Sequence, residues 1–217
     1  FYGPGIRALA AYLAVHQHLP YDRMAQLFSD AFGIAISTGA LVAIVTEAGG
    51  SLGEFTDAVR DQLATAPVVH FDETGGRVEG SLHWVHVASS ALLTLIDCHR
   101  RRGRVAMDEL GVIGAMSGIA VHDGWSPYRR YDVVHQLCNA HHLRELEFVA
   151  TELAQGWAEE LAGLLIEMKE AVERSVEGGT DHLDPGLLRR YLSRYDRIVA
   201  NGFAANPPAT RTGKAGR

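Results

Sequence analysis

Between Pro67 and Asp97 the chain carries three successive strand-forming segments: VVHFDET, SLHWVHVAS and LLTLID. Gly75-Gly76 and Ser89-Ser90 mark the connections. Runs rich in β-branched and aromatic residues, bounded by Gly or Ser, read as strands, and three in succession read as an antiparallel meander. A helical stretch near Val105 to Leu110 comes next, then a second kind of apolar run, Gly118-Ile-Ala-Val-His-Asp. A helical turn near Trp125 to Tyr131, a short strand at Val133 to Leu137 and a long helix from about Ala140 complete the order.

The resulting β-β-β-α-β-α-β-α order is that of the ribonuclease H-like fold, a mixed α/β sheet flanked by helices. Its first and fourth strands are parallel neighbours, so groups at their corresponding ends lie close together. Both runs end in a carboxylate: the first in Asp72 and Glu73, the fourth in Asp123. Asp and Glu are costly to bury and depleted from strands, so their position needs a reason. Two carboxylates brought together cannot both stay ionised cheaply, and a hard divalent cation, Mg²⁺ or Mn²⁺, is the usual resolution. Two such ions would activate the attacking oxygen and stabilise the leaving oxygen of a phosphodiester displacement. Spacing alone leaves a second reading open, in which the aspartates only cap strand ends at turns, Asp-Gly being a common turn pair.

Composition limits the alternatives. A chain of 217 residues, 47% hydrophobic and 21% charged, suits a globular protein with one main core and an appended helical unit. Cys98 and Cys138 are too few for a disulfide framework, and no apolar run approaches the ~20 residues of a membrane helix, so a cytoplasmic protein is expected. The ends, FYGPG and RTGKAGR, read as those of a fragment. Three regions are expected: a helical region over 1–64, resembling a helix-turn-helix or a small bundle; a catalytic core over 65–150; and a helical insertion with a basic tail over 151–217.

Net charge is -6, yet it is unevenly spread. Residues 187–217 hold Arg189, Arg190, Arg194, Arg197, Arg211, Lys214 and Arg217 against Asp196 alone, and Arg100, Arg101, Arg102 and Arg104 form a second basic knot. Such blocks are phosphate-contact candidates or solvated faces. Residues 1–50 have only Arg7 and Arg23 as cations, few for a helix entering a DNA groove.

The motifs FDETGGRVEG, HWVHVAS, RRRG, VHDGW and HQLCNAHHLREL, preceded by YGPGIRALAAYL and LPYDRMAQLFSDAFGIAISTGAL, resemble the insertion sequence 66 family of bacterial DDE transposases. The resemblance covers roughly Tyr2 to Leu146. It implies that Asp72 and Asp123 are the first two catalytic, metal-binding aspartates. The family's third acid is a glutamate in an Asn-Asn-x-x-Glu-Arg motif, which these residues do not contain, so it is expected beyond Arg217. The implied activity is DNA transposition, with Mg²⁺ or Mn²⁺ as cofactor. DNA is the implied partner, in a homo-oligomeric complex and without a membrane. An inactive remnant with DNA affinity only, and a nuclease of the same fold without strand transfer, are the alternatives.

Several neighbours invite a role. Glu73 should face away from Asp72 and hold the turn or a nearby basic residue, ordering the site rather than binding metal. Cys138 and His141 or His142 fall at helical spacings of three and four that would bring them to one face; a closed zinc site normally needs four ligands, and in several DDE families a Cys-x-x-His pair such as Cys138 and His141 looks site-ordering. Arg144, one turn further, joins Arg100, Arg101, Arg102, Arg189, Arg190, Arg194 and Arg197 as a DNA-binding candidate. Glu145 and Glu147 read as an ordinary amphipathic helix. His70 and His122 read as core or interface histidines, and Trp84 and Trp125 as core more than base-stacking residues.

Overall fold

Proline and glycine punctuate the helical start of the chain as the sequence suggests. A computed structural model describes residues 2–208, in two compact units: the residues up to Val121 with Ser126–His135, and His122–Trp125 with the residues from Gln136 on. Arg211, Lys214 and Arg217 lie outside the described residues.

The first helix, α1 (Pro4–Val15), begins at a proline whose missing N–H would be unpaired there anyway. Helix α2 (Tyr21–Phe32) stops at Gly33, whose φ of 63° is the left-handed conformation that glycine adopts without strain. Helix α3 (Thr38–Gly50) opens at Ser37, whose hydroxyl accepts from Ala40 N–H at 3.2 Å, and α4 is Gly53–Ala64. Ala10, Met24, Phe28, Leu41 and Ile44 from α1, α2 and α3 bury together with Ile36, so these three helices form a bundle. Each large apolar side chain so buried contributes about 1.5–3 kcal/mol.

The sheet comprises β1 (Val68–Val78), β2 (Ser81–Ser89), β3 (Thr94–His99), β4 (Ile119–His122) and β5 (Val134–Leu137), in the order β3-β2-β1-β4-β5. Strands β1, β2 and β3 form the expected antiparallel meander, and β4 runs parallel to β1, with Val68 level with Ile119 and His70 with Val121. This is the ribonuclease H-like strand order that the sequence predicts. Helix α5 (Arg104–Leu110) and a 3-10 turn (Ser126–Arg130) fill the intervening positions.

One connection differs from expectation. Strand β1 does not end at Gly75-Gly76 but runs on to Val78, and the chain reverses at Glu79-Gly80, with φ of 49° and 78°. Two left-handed residues make the tight turn whose twist matches a hairpin. Gly75 sits inside the strand opposite Trp84, and a Cβ there would touch the indole at 3.6 Å.

The second unit holds α6 (Asn139–Thr151), α7 (Gly156–Glu177) and α8 (Pro185–Ala205), with Leu146, Ala158, Leu161, Leu164, Ala171, Tyr191 and Ile198 as its core. Helix α8 begins where the Asp184 carboxylate accepts from Leu187 N–H at 2.9 Å, with Pro185 in the first turn. Among the described residues, no helix is long and apolar enough to cross a membrane.

Candidate active site

Strand alternation decides which side each residue of VVHFDE takes. Val69, Phe71 and Glu73 are buried, while Val68, His70 and Asp72 are exposed. Asp72 therefore stands at an accessible position, with its Oδ1 accepting from Glu73 N–H at 2.9 Å. His70 shares that exposed face: of the two expected readings, core or interface, the core one fails at this position because the strand's period carries it outward.

Asp123 follows directly on β4, half-buried, and its Oδ1 accepts from Trp125 N–H at 2.8 Å. This Asx-type turn orients the carboxylate. His122 is buried as expected of a core histidine, and its Nδ1 accepts from Gly124 N–H at 2.9 Å, which leaves Nε2 to carry the proton in the neutral ring.

Cys138 precedes α6, and it contributes through its backbone. Its N–H donates to His122 O at 2.8 Å, tying the start of α6 to the residue before Asp123, and its carbonyl accepts from His141 N–H at 3.1 Å. Among the described residues no group of three or more His, Cys, Asp or Glu side chains is arranged to hold a metal ion.

Glu73 is the buried centre of a polar cluster. Its side chain is 1% exposed; Oε1 accepts from the Tyr128 hydroxyl and Oε2 from Arg102 Nε at 3.3 Å. The Arg102 guanidinium lies 5.0 Å from the centre of the Trp84 ring, a cation–π contact. His86, buried on β2 opposite Glu73, contacts Arg101 O through Nε2 at 3.1 Å. Burial holds the Glu73 carboxyl above the ordinary carboxylate range, against the opposing pull of Tyr128, Arg102 and His86. The expectation that Glu73 would hold a nearby basic residue matches this geometry. Tyr128 gave no signal of its own in the sequence; only an alternation that drives Glu73 into the core hints that a donor must wait there.

The basic candidates divide. Arg100, Arg101, Arg144, Arg189 and Arg190 have exposed side chains. Arg102 is turned onto Glu73 and Trp84, as above. On α8, Arg194 spans to α7 and grips Glu167 with both terminal nitrogens, at 2.6 and 3.1 Å, and Arg197 meets Glu160 at 3.1 Å. Tyr131 donates its hydroxyl to Asp108 Oδ1 at 2.8 Å, and burial raises the Tyr131 hydroxyl pKa above its usual value.

A family model described as "Transposase IS66 family" matches residues 1–216. No curated protein sequence matches. A solved structure described as the cryo-EM structure of a simian T-cell lymphotropic virus intasome in complex with PP2A regulatory subunit B56 gamma is similar at 11% identity, over 95% of this chain and 72% of that one. Its TM-score is 0.27, too low for the likeness to bear on fold or function.

Proposed function

The chain belongs to the IS66 family of transposases, and on that premise we propose that Asp72 and Asp123 are two carboxylates of a metal-dependent site for DNA cleavage and strand transfer. The observation that carries the reading is the parallel register of β1 and β4: His70 is level with Val121, and each aspartate lies two residues beyond its member of that pair. The donor chemistry suits Mg²⁺ or Mn²⁺, since both groups are hard oxygen ligands and each has Oδ1 oriented by a backbone N–H. A bound divalent ion supplies the positive charge that favours in-line displacement at a phosphodiester.

The chain's own residues orient and restrain. The Glu73 N–H holds Asp72, the Trp125 N–H holds Asp123, and the Cys138 N–H fixes the residue before Asp123. The family's third acid belongs to a motif absent from residues 1–217, so these residues alone are expected to bind metal weakly and not to join DNA strands. Phosphate contact falls first to Arg100, Arg101, Arg144, Arg189 and Arg190, because Arg102, Arg194 and Arg197 already meet carboxylates. Family membership supports DNA as partner and a homo-oligomeric active complex, and a cytoplasmic setting belongs to the same proposal.

Mn²⁺ titration calorimetry on the chain beside Asp72→Ala and Asp123→Ala tests this. Weak binding lost in both variants supports one shared site. Variants that keep folded structure and bind Mn²⁺ as the parent does overturn it.

A further inference from the structure

We propose that Glu73 is a positioning residue: clamped on the buried face of β1 by Tyr128 and Arg102, it fixes the peptide that aims the Asp72 carboxylate. The inference rests on the reading of Asp72 as a metal-binding group.

Asp72 and Glu73 are neighbours on opposite faces of one strand, joined by a single peptide. The N–H of that peptide donates to Asp72 Oδ1 at 2.9 Å, so the orientation of the exposed carboxylate follows the tilt of the peptide plane. Parallel pairing of β1 with β4 extends only to His70, whereas antiparallel pairing with β2 runs through both residues, Asp72 level with Val87 and Glu73 with His86, so the sheet holds this peptide from the β2 side alone.

The Glu73 side chain adds a second restraint, from the buried face of the strand. Its two oxygens are bonded to different elements: Oε1 to the hydroxyl of Tyr128 on the 3-10 turn, Oε2 to Arg102 in the loop after β3. Each partner is itself immobilised. Tyr128 is 2% exposed and its ring lies 6.1 Å from that of Phe71, while the Arg102 guanidinium lies over Trp84 of β2. The loop bearing Arg102 is in turn held by His86 through Arg101 O. Rotating the peptide between residues 72 and 73 would drag a buried carboxylate away from both donors, which a buried charge strongly resists.

A carboxylate is also a poor choice for stability alone. Well-packed apolar residues often serve as well as a buried ion pair, so the Glu73 cluster is better explained by orientation than by added stability. Partners that orient a metal-binding group typically change metal affinity 10- to 100-fold when removed.

The test combines Mn²⁺ calorimetry with residue-resolved amide exchange by NMR on the chain, in the parent, Tyr128→Phe, Glu73→Gln and Asp72→Ala. Ile113→Val, a truncation in the buried core, controls for lost stability. Tyr128→Phe and Glu73→Gln are expected to weaken Mn²⁺ binding about tenfold while Ile113→Val binds as the parent. The residue-73 amide should exchange faster in Tyr128→Phe and in Asp72→Ala alike, with the Val85 amide unchanged. Parent-like Mn²⁺ affinity in a folded Tyr128→Phe protein overturns the proposal, as does an unchanged exchange rate at residue 73. Should the parent bind no Mn²⁺, the active-site reading fails by itself, and the exchange rate alone then decides whether Tyr128 restrains the peptide.

Discussion

Replacing Gly118 by alanine drives a methyl group into backbone that cannot step aside cheaply. A Cβ at this position would lie 2.5 Å from Ala66 O, 2.6 Å from Pro67 O and 2.9 Å from Pro67 C, whereas ordinary contact begins at 3.4 Å. The chain entering β1 and the chain entering β4 must therefore part by roughly 0.9 Å, against a hydrogen bond from Ile119 N–H to Pro67 O of 2.9 Å. Overpacking of this kind costs about 1–3 kcal/mol and the weakened hydrogen bond about 1 kcal/mol more. Alanine's smaller unfolded-state entropy returns about 0.4–1 kcal/mol, so a net loss of about 1–3.5 kcal/mol is expected. In a chain of this size each kcal/mol lost lowers Tm by about 2–4 °C. Urea unfolding followed in parallel by tryptophan fluorescence and far-UV circular dichroism measures it, with coincident transitions required before a single free energy is assigned. Gly76→Ala is the control. No atom lies within 4 Å of its added Cβ, and it should be neutral or slightly stabilising. A Gly118→Ala protein within about 0.5 kcal/mol of the parent, or a Gly76→Ala protein equally destabilised, would refute the close-approach reasoning.

Further outcomes are expected in the helical unit. Leu164→Ala, at a fully buried position of α7, should cost about 2–5 kcal/mol in urea unfolding. Asp184→Ala removes the side-chain acceptor at the start of α8 and should cost about 1 kcal/mol, while Asp184→Asn should retain most of it. The Arg194 guanidinium bonded to Glu167 holds that carboxyl below the usual carboxylate range. The folded state then binds fewer protons than the unfolded one, so the pair's contribution is present above the ordinary glutamate pKa of about 4.3 and is lost as pH falls through the lowered folded value. Both side chains are well exposed, so the effect is small and screened by salt. The stability gap between the parent and Glu167→Gln, measured by thermal melts, should close on acidification and at about 1 M salt; a gap indifferent to both would remove the ion pair as its cause.

How the chain's information divides is visible residue by residue. Local chemistry carried the strand order, because the meander, α5 and the apolar run to His122 each have a distinct period and composition. It also set the helix boundaries at Pro4, Ser37 and Asp184, where a cap or a proline acts within one turn. Alternation along β1 was enough to send Asp72 outward and Glu73 inward. Local propensity reads Gly75-Gly76 as a turn, whereas the ladder with β2 carries both glycines, opposite Trp84 and His83, on to the reversal at Glu79-Gly80, a pairing that local propensity does not include. The same reason governs the polar cluster. Sequence could demand a partner for a buried Glu73, but only the folded arrangement selected Tyr128, far along the chain, and turned the half-buried Arg102 from a phosphate-contact candidate into the partner of Glu73. Short-range rules fix which residues must be satisfied; which group satisfies them depends on how strands and loops distant in sequence come together, and that is decided by tertiary structure alone.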